Sequence, residues 1–157
     1  MGNRVYLTRV IDTDIELLMA WRSNPLVYKY FYLQREPLVW ENHLKWFMGE
    51  RNSQDRVMYM VWYDDRRVGS TSLHSFSSRT PEIDIYIGEV TLWGKGVGKE
   101  AIRLVIDYNI ETLKRFKAVS ARIMKGNIRS QKMFEACGFV RRGEGRPGEW
   151  YYEKVIK

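Results

Sequence analysis

Glu82, Asp84 and Tyr86 stand at alternate positions of one short stretch, with Ile83, Ile85 and Ile87 between them. Two carboxylates and a phenol on a shared face can take and give protons beside a bound ligand. Their period of two is that of a half-buried strand, with one face in the core and the other open to chemistry. Beyond Gly88, the run Gly94-Lys95-Gly96-Val97-Gly98-Lys99 carries three glycines at alternate positions. Such a backbone approaches a ligand closely and aims several N–H groups into one concavity. A helix starting there adds partial positive charge at its N-terminus. Glu82 to Ala101 therefore predicts a strand, a diphosphate cradle and a helix in succession.

The rest of the chain must position this stretch. Arg4 to Ile11 reads as an opening strand, and Thr13-Asp14-Ile15-Glu16 matches a capping box that starts a short helix to about Trp21. Pro25 interrupts that helix. Tyr28, Tyr30, Phe31 and Tyr32 then crowd the segment up to Leu33, a composition that suits either core or the lining of a pocket. Pro37 fits the first turn of a second helix, in which Trp40, Leu44, Phe47 and Met48 recur at helical spacing as a core stripe. Arg56 to Tyr63 and Val68 to Phe76 read as a hairpin around Asp64-Asp65-Arg66-Arg67, with His74 a strand histidine paired to a neighbour. Ile102, Val105, Ile106, Ile110 and Leu113 share one helical face, and Ala118 to Met124 is the next strand. Strand, glycine turn, helix and strand in that order make a crossover that sets two strands parallel. A short helix from Asn127 ends at Gly138, and Phe139 to Arg142 pairs with Glu149 to Ile156. The expected fold is α+β: one domain over residues 1–157, with a mixed, mostly antiparallel sheet of six to seven strands and helices on both faces.

A net charge of +7 over 157 residues points to an anionic partner without choosing one. The 26 lysines and arginines form no block of five or six and accompany no nucleic-acid-binding motif, so nucleic acid is not expected. No apolar run is long enough to span a membrane or to serve as a signal peptide, which predicts a cytoplasmic protein that binds no membrane. Met1-Gly2 suggests myristoylation, but Tyr6 stands where Ser or Thr is needed. His43, His74 and the lone Cys137 share no metal-ligand spacing, so no metal is expected, and Cys137 reads as a packed side chain.

The glycines fit neither familiar phosphate loop. Glu100 follows Gly98-Lys99 where a P-loop needs Ser or Thr, and the G-x-G-x-G spacing is not the dinucleotide fingerprint. However, Trp93-Gly94-Lys95-Gly96-Val97-Gly98 after an alternating strand, then Asn127-Ile128-Arg129-Ser130 and Phe134-Glu135-Ala136-Cys137-Gly138-Phe139, resembles the GNAT N-acetyltransferase superfamily. The match runs over nearly the whole chain. Within the superfamily, the Trp-Gly-x-Gly run resembles the ribosomal-protein N-terminal acetyltransferase branch. Trp21-Arg22-Ser23-Asn24-Pro25 resembles both that branch and the enzymes that acetylate the 4-amino group of nucleotide-linked amino sugars.

The resemblance implies acetyl-CoA as co-substrate, with a central pair of parallel strands splayed apart to admit it. Its diphosphate would lie on Gly94, Lys95, Gly96, Val97, Gly98 and Lys99, and its pantetheine arm along Tyr86, Ile87 and Gly88. Asn127, Ser130 and Phe134 would close the other side. Lys95, Lys99, Arg103, Arg129 and Lys132 can face the phosphates. Trp93, where the family often has Gln or Arg, is expected to contribute mainly backbone geometry. Phe134 replaces the tyrosine that protonates the leaving thiolate in many members, so either another hydroxyl, Ser130 or Tyr86, serves or the thiolate leaves unaided. Glu82 is the expected base, seconded by Asp84; alternatively, both carboxylates pair with arginines such as Arg79 or Arg122. Backbone N–H groups near Ile87 and Gly88 should meet the oxyanion. The expected acceptor is a small amine such as a nucleotide-linked amino sugar, held by Trp21, Arg22, Asn24, Tyr28, Tyr30 and Phe31. A protein N-terminus is the alternative, followed by a non-catalytic module that binds CoA or nucleic acid. A homodimer is compatible with all of these.

Overall fold

The computed structural model describes residues 4–32 and 34–156, and of Arg51 the backbone only. The Met1-Gly2 pair and Leu33 lie outside these residues. The elements run β1 (Val5–Arg9), α1 (Ile15–Arg22), α2 (Pro25–Tyr28), α3 (Trp40–Arg51), β2 (Arg56–Tyr63), β3 (Arg66–His74), β4 (Glu82–Ile87), α4 (Val97–Tyr108), α5 (Ile110–Leu113), β5 (Ala118–Met124), α6 (Ile128–Ala136), β6 (Val140–Glu144) and β7 (Glu149–Val155). The seven strands form one sheet in the order β1-β2-β3-β4-β5-β7-β6. Every neighbouring pair is antiparallel except β4 with β5.

That parallel pair touches at a single register position, Glu82 opposite Ser120, where the Ser120 N–H donates to the Pro81 carbonyl at 2.8 Å. From there the strands diverge, because β4 stays paired to β3 as far as Ile87 while β5 follows β7. The alternation of β4 then sorts its two faces. Ile83 and Ile87 enter the larger core with Val97, Ile102 and Val105 of α4, while Tyr86 packs against a smaller core of Ile15, Leu18, Trp21, Phe47 and Met60. Thus α4 covers one face of the sheet and α1 with α3 the other, and the polar side of β4 looks toward α1 and α3. Among the described residues, no helix is long and apolar enough to cross a membrane.

Several local expectations are corrected. The Thr13–Glu16 capping box is not formed: Asp12–Asp14 is a 3-10 turn, and the Asp14 carboxylate accepts the Ile11 N–H at 2.9 Å and an Arg67 guanidinium N–H at 2.7 Å. Asp14 is thus the N-cap residue of α1 without a side-chain cap bond, its carboxylate being taken by the Ile11 N–H of the preceding turn and by Arg67 from β3. Pro25 starts a helix rather than merely ending one, since its missing N–H costs nothing at a first turn and Asn24 caps it. Pro37 lies outside α3, which begins at Trp40 after Val39. Within α3 the inward residues are Phe47 and His43, one turn apart, with Leu44 half-buried; Trp40 and Met48 are exposed. The β2–β3 turn is Asp64-Asp65 alone, with Asp64 at φ 54, and β3 ends at His74 rather than Phe76. The helix after the glycine turn breaks at Asn109, so Ile110 and Leu113 belong to a separate turn of helix.

Candidate functional site

Where β4 and β5 part, the sheet opens into a cavity of about 600 Å³. It runs from the glycine turn, past the polar face of β4, to the aromatic residues after α2.

At one end, Gly94 and Gly96 take φ of 81° and 83°, the left-handed conformation that glycine adopts without steric cost, and nothing stands within 4 Å of either Cα's open side. Gly96 caps α4. The first bond of that helix is Glu100 N–H to Gly96 C=O at 3.1 Å, which leaves the amides of Val97, Gly98 and Lys99, residues that line the cavity, without an intrahelical partner. An anion is the natural partner of such a terminus. Lys95 is the exception in the predicted cradle, because its N–H reaches back to the Leu92 carbonyl at 3.4 Å and its side chain does not line the cavity. Gly98 is buried and faces α6: a Cβ there would stand 2.4 Å from the Met133 sulfur. It lets two helices close on each other as well as opening the cradle.

The exposed edge of β4 carries a division of labour. In an antiparallel ladder the residue that bonds its neighbour alternates, and Gly88 N–H donates to Val68 C=O at 2.8 Å. The Gly88 amide is therefore consumed by β3 and cannot serve as an oxyanion donor. Ile85 and Ile87 point their main-chain groups the other way, into the splay. The Ile87 carbonyl there accepts the Trp93 indole N–H at 2.8 Å. Hence Trp93 does more than shape the backbone: it occupies the carbonyl, leaves the Ile87 N–H facing the cavity, and carries the Arg129 guanidinium 3.8 Å above its ring. Gly88 itself lies outside the cavity, since a Cβ there would come within 2.1 Å of the Trp21 ring. Opposite, the Asn127 side-chain oxygen caps α6 by accepting the Ser130 N–H at 3.2 Å. Phe134 lines the cavity but is buried edge-to-face on Phe139, which makes it a core ring.

Glu82, Asp84 and Tyr86 do share one face, beside His74, Ser72 and Ser70 of β3. His74 Nε2 lies 3.2 Å from the Asp84 carboxylate and 3.8 Å from that of Glu82. Arg122 of β5 bonds Glu82 at 2.5 Å, while Ser72 donates to Asp84 at 2.6 Å and Arg56 lies 3.5 Å from it. The pairing reading is thus realised through Arg122, Arg56 and His74, and Arg79 takes no part in it. Burial pushes the Glu82 carboxyl above its ordinary range, against the pull of His74 and Arg122. Asp84 opens to the cavity; desolvation by the surrounding protein alone would raise its carboxyl, but His74, Arg56 and Ser72 outweigh this and hold it below the usual range. Burial raises the Tyr86 hydroxyl as well, so it stays protonated at neutral pH.

At the far end, Arg22, Tyr30 and Phe31 line the cavity as expected, but Trp21, Asn24 and Tyr28 do not. Trp21 is buried behind Tyr86, with ring centroids 6.3 Å apart, and the Asn24 side chain accepts the Leu26 N–H to cap α2. Tyr32, His43, Trp46, Arg56, Arg146 and Glu149 also line it. The aromatic run after Pro25 already offered Tyr32 as pocket lining, and α3 periodicity hinted at His43, which precedes Phe47 by one turn. Arg146 and Glu149 meet through two bonds of 2.8 and 2.9 Å, with the guanidinium 3.8 Å over Tyr32.

The profile of the acetyltransferase (GNAT) domain family matches residues 4–140. The uncharacterized protein MJ1062 of Methanocaldococcus jannaschii is 44% identical over 154 residues, which cover 96% of this chain and 31% of that protein. The "Probable N-acetyltransferase YjcK" of Bacillus subtilis is 34% identical over 101 residues, 59% of this chain and 55% of the relative. The matches thus span only 31% and 55% of the length of these curated relatives. Among solved structures, a domain from M. jannaschii superposes with a TM-score of 0.91 at 41% identity, covering 99% of this chain and 100% of that one. The spermidine N-acetyltransferase of Vibrio cholerae, solved with CoA and spermine, gives 0.80 at 15% identity over 97% and 95% of the two chains, a likeness of fold. The present chain belongs to the GNAT acetyltransferase family.

Proposed function

We propose that this chain transfers the acetyl group of acetyl-CoA to the primary amine of a small acceptor, such as a nucleotide-linked amino sugar, by direct attack. The observation that carries this reading is the continuity of one cavity from the amides of Val97, Gly98 and Lys99 to Glu82 and Asp84, along the unpaired edge of β4. Solved relatives of the same fold hold CoA. The diphosphate of acetyl-CoA would rest on those amides, with Lys99, Arg129 and Lys132 toward its phosphates. The arm would lie between β4 and the Asn127–Ser130 turn.

The acceptor amine arrives as ammonium and must lose a proton before it attacks. Glu82, whose carboxyl burial makes the more basic of the pair, takes that proton and passes it to solvent. Asp84 stays ionised and orients the ammonium. As the nitrogen bonds to the thioester carbon, the Ile87 N–H faces the developing oxyanion. Collapse breaks the C–S bond, and the second amine proton ends on sulfur by way of Tyr86 or Ser130. The products are the amide, free CoA and one released proton.

Calorimetry with acetyl-CoA and thiol release against sugar-nucleotide amines, amino-terminal peptides and polyamines test the proposal together. Saturable cofactor binding with turnover of a sugar-nucleotide amine is expected. Absence of acetyl-CoA binding overturns the reaction class, and turnover confined to peptides or polyamines overturns the acceptor.

A further inference from the structure

Four arginines and three carboxylates line the acceptor half of the cavity, and they are not evenly matched. Arg56 reaches Glu50 and Asp84, Arg122 reaches Glu82, and Arg146 holds Glu149 through both oxygens. Among the described residues, no carboxylate pairs with Arg22. Its guanidinium instead lies against two rings, 4.9 Å from the Trp46 centroid and 5.6 Å from that of Phe31. Aromatic faces leave the in-plane N–H fork of an arginine free, and that fork matches the two oxygens of a phosphate or carboxylate.

His43 supplies the second observation. It is 3% exposed, stacks on the same Trp46 ring at 5.9 Å, and lines the cavity. Its Nε2 is buried without a hydrogen-bond partner among the described residues. Buried polar groups are rarely left so, and each such exception calls for a missing partner. Burial and the nearby Arg22 charge keep the ring neutral, and in the tautomer that carries its proton on Nε2 that nitrogen is a donor. In that tautomer two unmet donors flank one indole.

Resting on the acetyl-transfer reading above, we infer that Arg22 and His43 form an oxyanion subsite that holds a phosphate or carboxylate carried by the amine acceptor. Trp46 and Phe31 give the subsite aromatic walls on which the Arg22 guanidinium rests. The same charge pattern disfavours polycationic acceptors: Glu82, Asp84 and Glu149 already have cationic or histidine partners, and Arg22 would face the incoming positive charge.

The test uses the full chain saturated with CoA, so that the glycine turn is occupied. Pyrophosphate and glutarate are titrated separately, with heat and the ¹⁵N resonance of His43 Nε2 as readouts. Saturable binding that moves this resonance is expected, weakened at least tenfold in Arg22→Gln and in His43→Phe, with Arg22→Lys intermediate. Which anion saturates identifies phosphate or carboxylate as the group recognised. In turnover, glucosamine 6-phosphate is compared with glucosamine; Arg22→Gln should erase any preference for the anionic amine, while CoA affinity and thermal midpoint hold steady. Unmoved His43 resonance with both anions, or equal affinity in wild type and Arg22→Gln, overturns the subsite. If acetyl-CoA itself fails to bind, the parent reading falls and the subsite with it. If neutral and anionic amines are acetylated alike, only the subsite falls.

Discussion

Glu82 and Asp84 are two residues apart and begin as equivalent carboxylates, yet their surroundings drive them in opposite directions. Glu82 is largely enclosed, and burial raises its carboxyl; Asp84 opens to the cavity and is held ionised by His74, Arg56 and Ser72. Because a base must be deprotonated, kcat/KM should rise with pH through a value above the ordinary glutamate range. Glu82→Gln should flatten that limb and lower kcat by ~10²–10⁴ while acetyl-CoA affinity is kept; a wild-type profile in the variant removes Glu82 from the reaction. His43 gives a second pH effect, on stability. Burial and Arg22 lower it from 6.5 to about 4, so the folded state resists its protonation. Its contribution to stability is complete above pH 6.5 and is lost as pH falls toward 4, amounting to about 2 kcal/mol by pH 5. Denaturation of wild type and His43→Phe at pH 7.5 and 5 measures it: the variant should lose less stability between the two.

At the scale of elements, the site depends on one strand that keeps a partner on one side and lacks it on the other. Trp93 holds the free side in order by taking the Ile87 carbonyl. Trp93→Phe should leave that carbonyl unmet, cost about 1–3 kcal/mol in urea denaturation, and weaken acetyl-CoA binding. The glycine positions separate binding from folding. Gly96 opens to empty space, so Gly96→Val should strain the turn by about 1–2 kcal/mol and weaken cofactor binding by occupying the cradle. Gly88 meets the Trp21 ring within 2.1 Å, so Gly88→Val should damage folding instead. Calorimetry and thermal denaturation of both variants distinguish the two effects; equal stability in both contradicts the assignment.

For the whole molecule, the charge of +7 and the anionic ligand proposed for its cleft predict association with acetyl-CoA that slows as salt rises. Acetyl-CoA at 100 times its Kd should add about 2.7 kcal/mol, which for a chain of this size is a midpoint rise of roughly 5–10 °C. Scanning calorimetry across ligand concentration checks it. Much of this architecture was legible without coordinates. The alternation of Glu82 to Ile87, the glycine turn and the Asn127 cap are local patterns, and local patterns act through backbone conformation that neighbours in sequence already decide. Strand order followed from them, because a strand, helix and strand in succession leave few ways to join. The errors fell where a distant group outbid a local one. Arg67 and the Ile11 N–H hold the Asp14 carboxylate where a Thr13–Glu16 box was expected, and β3 consumed the Gly88 amide expected to face the ligand. The acceptor end was the least legible. His43 and Trp46 of α3, Arg56 of β2 and Arg146 of the β6–β7 turn meet only because α3 folds over the polar face of β4 while that turn closes from the other side. The sequence by itself determined which residues can hold a diphosphate and carry protons, since those capacities reside in side chains and short turns. Only the tertiary structure decided which charges are paired, because pairing is a matter of distance across the sheet, and that decision left Arg22 and His43 unmet.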